Sequence, residues 1–254
     1  MMVHMSNAKT KKKPLPKRFY ERAVCEPMDG GFVITLDGKK VRTPQQKLLH
    51  CASQQLAQQI VAEWNAQVGV IDTDTMPLTR LLNIALDRVP ADRAALLTDI
   101  AGYAETDLLC YHAPEPQDAA IIDTAAQELA ALQMQHFTPI LQWLDARYGM
   151  RFQVTQGVMP VAQPAEAIQT LAELFSAADD HTLAALSMMV PLLGSALLAL
   201  AIWKGGIAVE VALVAARLDE AVQEKHWGAD PQLARQWNAK CRDVRAAAFF
   251  LTAI

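Results

Sequence analysis

Residues 183–203, LAALSMMVPLLGSALLALAIW, carry no charged side chain, and the rest of the chain must fold so as to keep them out of water. Asp179, Asp180 and Thr182 precede the stretch with side-chain oxygens that accept from the free N–H groups opening a helix. Lys204 follows at the negative end of the helix dipole, and Gly205-Gly206 lets the backbone turn away. The length would cross a bilayer. Pro191, Gly194 and Ser195 within it, the absence of flanking aromatic belts and the amphipathic segments on either side favour the other home of an all-apolar helix, a protein core. Each large side chain buried there contributes about 1.5–3 kcal/mol. The C-terminal half is therefore expected to form around one continuous helix, with no membrane insertion.

Such a helix needs covering, and a chain of 254 residues that is 52% hydrophobic has the material for one large domain or two small ones. A net charge of −4 and a pI near 5.9 exclude the basic stripe of a general nucleic-acid binder. Cys25, Cys51, Cys110 and Cys241 are far apart and form no CxxC pair, so they read as reduced, mostly buried thiols. The compartment expected is a bacterial cytoplasm, or the mitochondrial matrix for a eukaryotic source. Residues 1–17 have no apolar signal core and are neither Arg-rich nor amphipathic; with Lys11, Lys12 and Lys13 they read as a flexible basic tail.

After the tail, Phe32, Ile34 and Leu36 alternate as a half-buried strand should, and Asp37-Gly38 signals a two-residue hairpin returning over residues 39–43. From Ser53 the period becomes helical, with Leu56, Ile60, Val61 and Trp64 on one face. A second helix begins near Pro77, carries Leu78, Leu81, Leu82, Ala85 and Val89, and is expected to end at Pro90. Strands followed by helices predict an α+β fold: a small N-terminal antiparallel sheet with helices over 18–90, then a larger all-helical domain over 91–254. In that second part the stripes are Leu96, Leu97, Ile100, Tyr103, then a helix over 118–148 kinked or divided by Pro139, a short extended piece at 151–157, and a helix from Pro164. A last helix is capped by Asp230-Pro231 and carries Leu233, Trp237, Cys241, Val244 and Ala248.

The segment YAETDLLCYH gathers Glu105, Asp107, Cys110 and His112, the residue types of a metal site or of a cysteine nucleophile with its base. On a helix, however, Glu105 and Asp107 diverge by about 200°, as do Cys110 and His112. The competing reading is that the aromatic and leucine side chains pack while the carboxylates bond local backbone or Arg80. There is no GxGxxG, Walker loop, GxSxG or HExxH. Neither cofactor nor metal is expected, and an enzyme is disfavoured.

Residues 207–227 read as one amphipathic helix whose stripe Ile207, Val211, Val214, Leu218, Val222 faces the apolar core. Nearly opposite run Val209, Leu213, Ala216 and Glu220, with Arg217 and Glu224 beside them. Such a second strip is either buried as well or offered to a partner.

RFYERAVCEPMDGGFVITLDGKKVRTP, AEWNAQ, IDTDTMPLTRLLNIALDRV and YAETDLLCYHA, followed late in the chain by LLGSALLALAIWKGGI and AARLDEAVQEKHWG, resemble in the same order the ATP synthase assembly chaperones that bind the α subunit. Asn65 stands where that family commonly has Asp, and Phe137-Thr138 where it has Trp-Asp. The resemblance implies a monomeric, non-enzymatic chaperone. It would hold the free α subunit and shield its β-facing surface until the α/β hexamer forms. It also implies a functionally important acid in ARLDE, at Glu220 or at its neighbour Asp219. The partner-binding set expected is Glu220, Asp219, Arg217, Glu224, Val209 and Leu213. From the residues alone, the alternative is a metal-dependent or cysteine hydrolase using Glu105, Asp107, Cys110 and His112.

Overall fold

The computed structural model describes residues 14–114, 124–157 and 159–254. β2 (Gly31–Leu36) is the centre of an antiparallel sheet, with β1 (Ala23–Met28) on one side and both β3 (Lys39–Lys40) and β4 (His50–Cys51) on the other. Asp37 and Gly38 join β2 to β3 at φ of 48° and 77°, the left-handed pair that a two-residue hairpin requires. The return strand is shorter than expected. After Lys40 the chain loops out, bridges Arg42 to Leu48, and comes back to β2 as β4. Of the expected tail, residues 1–13 with the lysine cluster lie outside the described residues. Residues 14–17 are held against the domain, since the Pro16 carbonyl accepts from Ile71 N at 2.8 Å and Lys17 bridges Val70.

α1 (Gln54–Asn65) begins where the Ser53 hydroxyl accepts from Leu56 N, and lays Leu56 and Ile60 into the core. At its end the Asn65 amide accepts from Ala23 N at 2.8 Å and donates to Ala23 O at 3.0 Å, clasping β1. An aspartate could make only the first bond. α2 (Pro77–Asn83) carries the expected buried stripe, and the helical run continues just past Pro90, to a break at Asp92. A π turn (Ile84–Arg88) leads into α3 (Val89–Gly102), with Pro90 in its first turn. In the wide turn Val89 N–H bonds the Ile84 carbonyl. The Leu86 carbonyl, which the proline deprives of its donor, accepts instead from Lys47 Nζ. The run passes Pro90 but breaks two residues later at Asp92, whose φ of −128° and ψ of 27° are non-helical, so the expected end is displaced only slightly and α3 is kinked there.

α4 (Thr124–Tyr148) is one helix with Pro139 inside it; residues 118–123 of the expected helix lie outside the described residues. β5 (Tyr111–His112) pairs in parallel with β6 (Thr155–Gln156), and α5 (Ala165–Ser176) follows. The apolar segment is core, as expected, but it is two helices: α6 (Asp180–Leu193) and α7 (Ala196–Trp203). Gly194 adopts φ of 65°, ending α6 in the left-handed conformation, and Ser195 caps α7 through Leu198 N at 2.9 Å. All six residues from Ala196 to Ala201 are wholly buried. No helix among the described residues is long and apolar enough to cross a membrane. One buried cluster runs from Ile34 and Leu56 through Leu197 to Phe250; a smaller one holds Tyr20, Ala23, Leu36, Ile71 and Met76, and Trp64 packs against both.

The expected helix over 207–227 is also broken, into α8 (Val209–Ala215) and α9 (Leu218–Trp227), with Arg217 non-helical at φ −130°, ψ 15°. The break turns α8 over relative to the sequence reading. Leu213 is buried, while Val211 and Val214 are 41% and 50% exposed. The single-helix stripe assumed one axis. With two axes, Leu218 and Val222 stay buried without bringing Val211 and Val214 into line. α10 (Pro231–Ala253), capped by Asp230, packs along α6.

Candidate partner-binding groove

α9 and α10 meet at the turn around Gly228, and between them lies a groove of about 270 Å³. Trp227 at the end of α9 and Leu233 at the start of α10 are 73% and 53% exposed on its walls. Trp237 lies deeper, with the Arg217 guanidinium 5.3 Å from its ring centroid. Arg217 is held there by an ion pair to Glu224, and so is engaged away from Glu220. Asp230 accepts from Gln232 N at 2.6 Å to cap α10. That leaves Glu220 as an exposed carboxylate on the groove with no partner among the described residues. Asp219 is exposed and accepts from Gln223 at 3.0 Å. Both acids sit in the first turn of α9, where the helix dipole favours negative charge. Their presence alone therefore needs no partner; the apolar walls beside Glu220 are the unexplained feature. Lys225 and His226 fix the other side of α9 to α4, donating to Glu128 at 2.6 and 3.0 Å.

Of the expected binding residues, Glu220, Arg217 and Glu224 line this groove. Asp219 lies beside it, Val209 is half-buried on α8, and Leu213 is only 4% exposed and unavailable to a partner. Trp227, Leu233 and Trp237, which the expected set does not include, line the groove as well. The sequence reading took Trp227-Gly228 as a helix stop and Leu233 with Trp237 as core stripe, whereas the buried face of α10 is Cys241, Val244, Ala247 and Phe250.

The hydrolase constellation does not assemble. Residues 103–112 form two 3₁₀ turns and β5 rather than a helix. Glu105 is exposed. Asp107 is completely buried and structural: it accepts from Ser195 Oγ at 2.7 Å, Leu197 N at 3.1 Å and Leu109 N at 3.1 Å. It sits at the N-terminus of α7, so the break at Gly194 is matched by an acid from a distant segment. Burial raises its pKa to about 6 against these bonds, and burial together with Asp107 pushes the Cys110 thiol up to about 12. Desolvation lowers the pKa of His112, whose Nε2 is buried without a partner among the described residues. A thiol so disfavoured as thiolate is inert, and the His112 ring packs edge-on against Phe137 at 5.6 Å. Arg80, the other suggested partner, bonds Asp243 at 2.6 Å. No group of three or more His, Cys, Asp or Glu among the described residues could hold a metal ion.

Residues 17–145 match the family described as ATP12 chaperone protein. The chain is similar to the mitochondrial protein atp12 of Schizosaccharomyces pombe, 22% identical over 85% of this chain and 76% of that protein. It is similar in structure to Atp12 of Paracoccus denitrificans, with a TM-score of 0.81, 30% identity and 94% and 98% of the two chains covered. A chaperone candidate from Agrobacterium tumefaciens superposes with a TM-score of 0.83 at 38% identity, covering 95% of this chain and 87% of that one.

Proposed function

The chain belongs to the ATP12 chaperone family, chaperones of F-type ATP synthase assembly and not enzymes, and from that premise we propose that it holds the free α subunit. In this reading it covers the surface that α later buries against β, and releases it when the hexamer forms. An obligate interface resembles a core cut in half and aggregates when left bare. A holdase for it must pair apolar contact with a replaceable polar one. The observation that supports this best is the α9–α10 groove, whose lining combines the exposed Trp227 and Leu233 with Glu220, a carboxylate that has no partner among the described residues. We assign Glu220 as the acid that meets a cationic or donor group of the α subunit, with Asp219 outside the contact. The protein acts as a monomer in the bacterial cytoplasm, or in the matrix if its source is eukaryotic.

The test is dilution of denatured α and β subunits, separately, into the purified protein. Light scattering should fall for α and not for β; equal protection of β or of unrelated proteins would refute the selectivity. Glu220→Lys should melt within about 1 kcal/mol of wild type, the scale of a dipole contact in the first turn. Its capture of α should weaken by about 2–5 kcal/mol, mostly through faster release. Loss of capture in Asp219→Lys alone would move the site by one residue.

A further inference from the structure

A second concave surface lies far from the groove in sequence and has the opposite charge. It is formed where the strap before β1 crosses the β2–β3 hairpin and the end of α1, and encloses about 400 Å³. Its floor is aromatic: Tyr20 and Trp64 meet edge-to-face with centroids 5.7 Å apart, and Phe19 stands against Tyr20 at 5.6 Å. Phe19 is 74% exposed, a large apolar side chain left in water beside an opening. Lys39, Lys40 and Arg42, all exposed, form the rim. The one acid lining it, Asp37, is already committed, its carboxylate accepting from Glu21 N at 2.9 Å and Arg22 N at 2.9 Å. Arg42 donates to the Gln46 carbonyl at 2.6 Å and makes no ion pair among the described residues. Phe19 is left largely in water, and the single lining carboxylate, Asp37, sits near Lys39 and carries one charge against three cations, so the lining is net positive.

We propose that this pocket docks an acidic polypeptide segment of a partner protein, one that sets an aromatic or aliphatic side chain against Phe19 and Trp64 and its carboxylates against Lys39, Lys40 and Arg42. The choice of occupant follows from charge: three cations with one satisfied acid repel a basic segment and offer little to a neutral one. The apolar floor adds affinity for a side chain that simple counter-ions lack. The site is independent of the α-subunit assignment, because it shares no residue with the α9–α10 groove.

The probe is a fluorescent twelve-residue peptide alternating Asp with Leu and Phe, titrated against the full chain by anisotropy, beside the same peptide with Lys in place of Asp. The acidic peptide should bind about tenfold or more tightly than the lysine one, and lose affinity as salt rises. Lys39→Glu/Lys40→Glu, and separately Phe19→Ala, should each weaken the acidic peptide by about tenfold while the melting temperature holds, these side chains being solvent-exposed. Glu220→Lys should leave this binding unchanged, which separates failure here from failure of the α-subunit reading. Equal binding of both peptides, or full retention in the double lysine variant, would overturn the proposal. So would binding of the chain to phosphatidylglycerol vesicles without binding of the acidic peptide, since a cationic rim with an exposed aromatic would then serve a lipid surface.

Discussion

Asp107 offers the sharpest quantitative test of how this core is built. Its carboxylate is shut away from solvent and takes up the Ser195 hydroxyl and the Leu109 and Leu197 N–H groups. Burial outweighs these bonds and raises the folded pKa to about 6 from its ordinary 3.8. A raised acid favours folding most where both states are protonated, below the unfolded value. Between pH 3.8 and about 6 the unfolded chain ionises while the folded one keeps its proton, so this contribution falls as pH rises; above about 6 it is lost. At 1.36 kcal/mol per pH unit the interval corresponds to about 3 kcal/mol. Asp107→Asn removes the titration, so urea denaturation of wild type and variant across pH 4 to 7 should give stability curves that converge or cross by about 3 kcal/mol. Parallel curves would refute the account and place the charge in a better-solvated setting. Asp107→Ala is different in kind. It strands a hydroxyl and two N–H groups in the core and should cost on the order of 3–5 kcal/mol at either pH.

Gly206→Ala should destabilise by about 1–3 kcal/mol, because a Cβ there would fall 2.5 Å from the Trp143 ring; an unchanged melting temperature would mean that the ring has room to move. Trp64→Arg should cost about 3 kcal/mol or more by removing the largest of the side chains, with Val41 and Val61, that pack against both buried clusters, and normal thermal stability would assign Trp64 to an interface instead. Glu63→Gln should lower the melting temperature, since both Glu63 oxygens serve the opening of α2 through Leu78 N at 2.7 Å and Thr79 N at 2.8 Å; calorimetry showing no change would deny that capping role.

The motifs that carried the family resemblance prove to be the polar joints of the fold, which explains why they were legible. Thr43 donates to Asp87 at 2.8 Å, Glu63 caps α2 beside Thr79, and Asp107 receives Ser195 of the apolar segment. Each joins residues 44, 16 and 88 positions apart, so their sequence segments must appear together and in order. Periodicity likewise found α1, the buried stripe of α2 and the all-apolar core, because burial imposes a repeat on every turn. It failed where a break costs the sequence only one residue. Gly194, admitted only as an argument against a membrane span, divides α6 from α7, and Arg217 divides α8 from α9 with no glycine or proline to mark it. The second failure misplaced the candidate site: one uninterrupted axis put Leu213 on the open face and left Val211 and Val214 in the core, the reverse of their burial. Trp227 and Leu233 were lost for a related reason. An apolar residue at helical spacing is core by default, and nothing local distinguishes one that faces a groove formed by a helix not yet placed. A surface meant for a partner imposes no repeat on its own chain, because the side chains that complete its packing belong to another sequence.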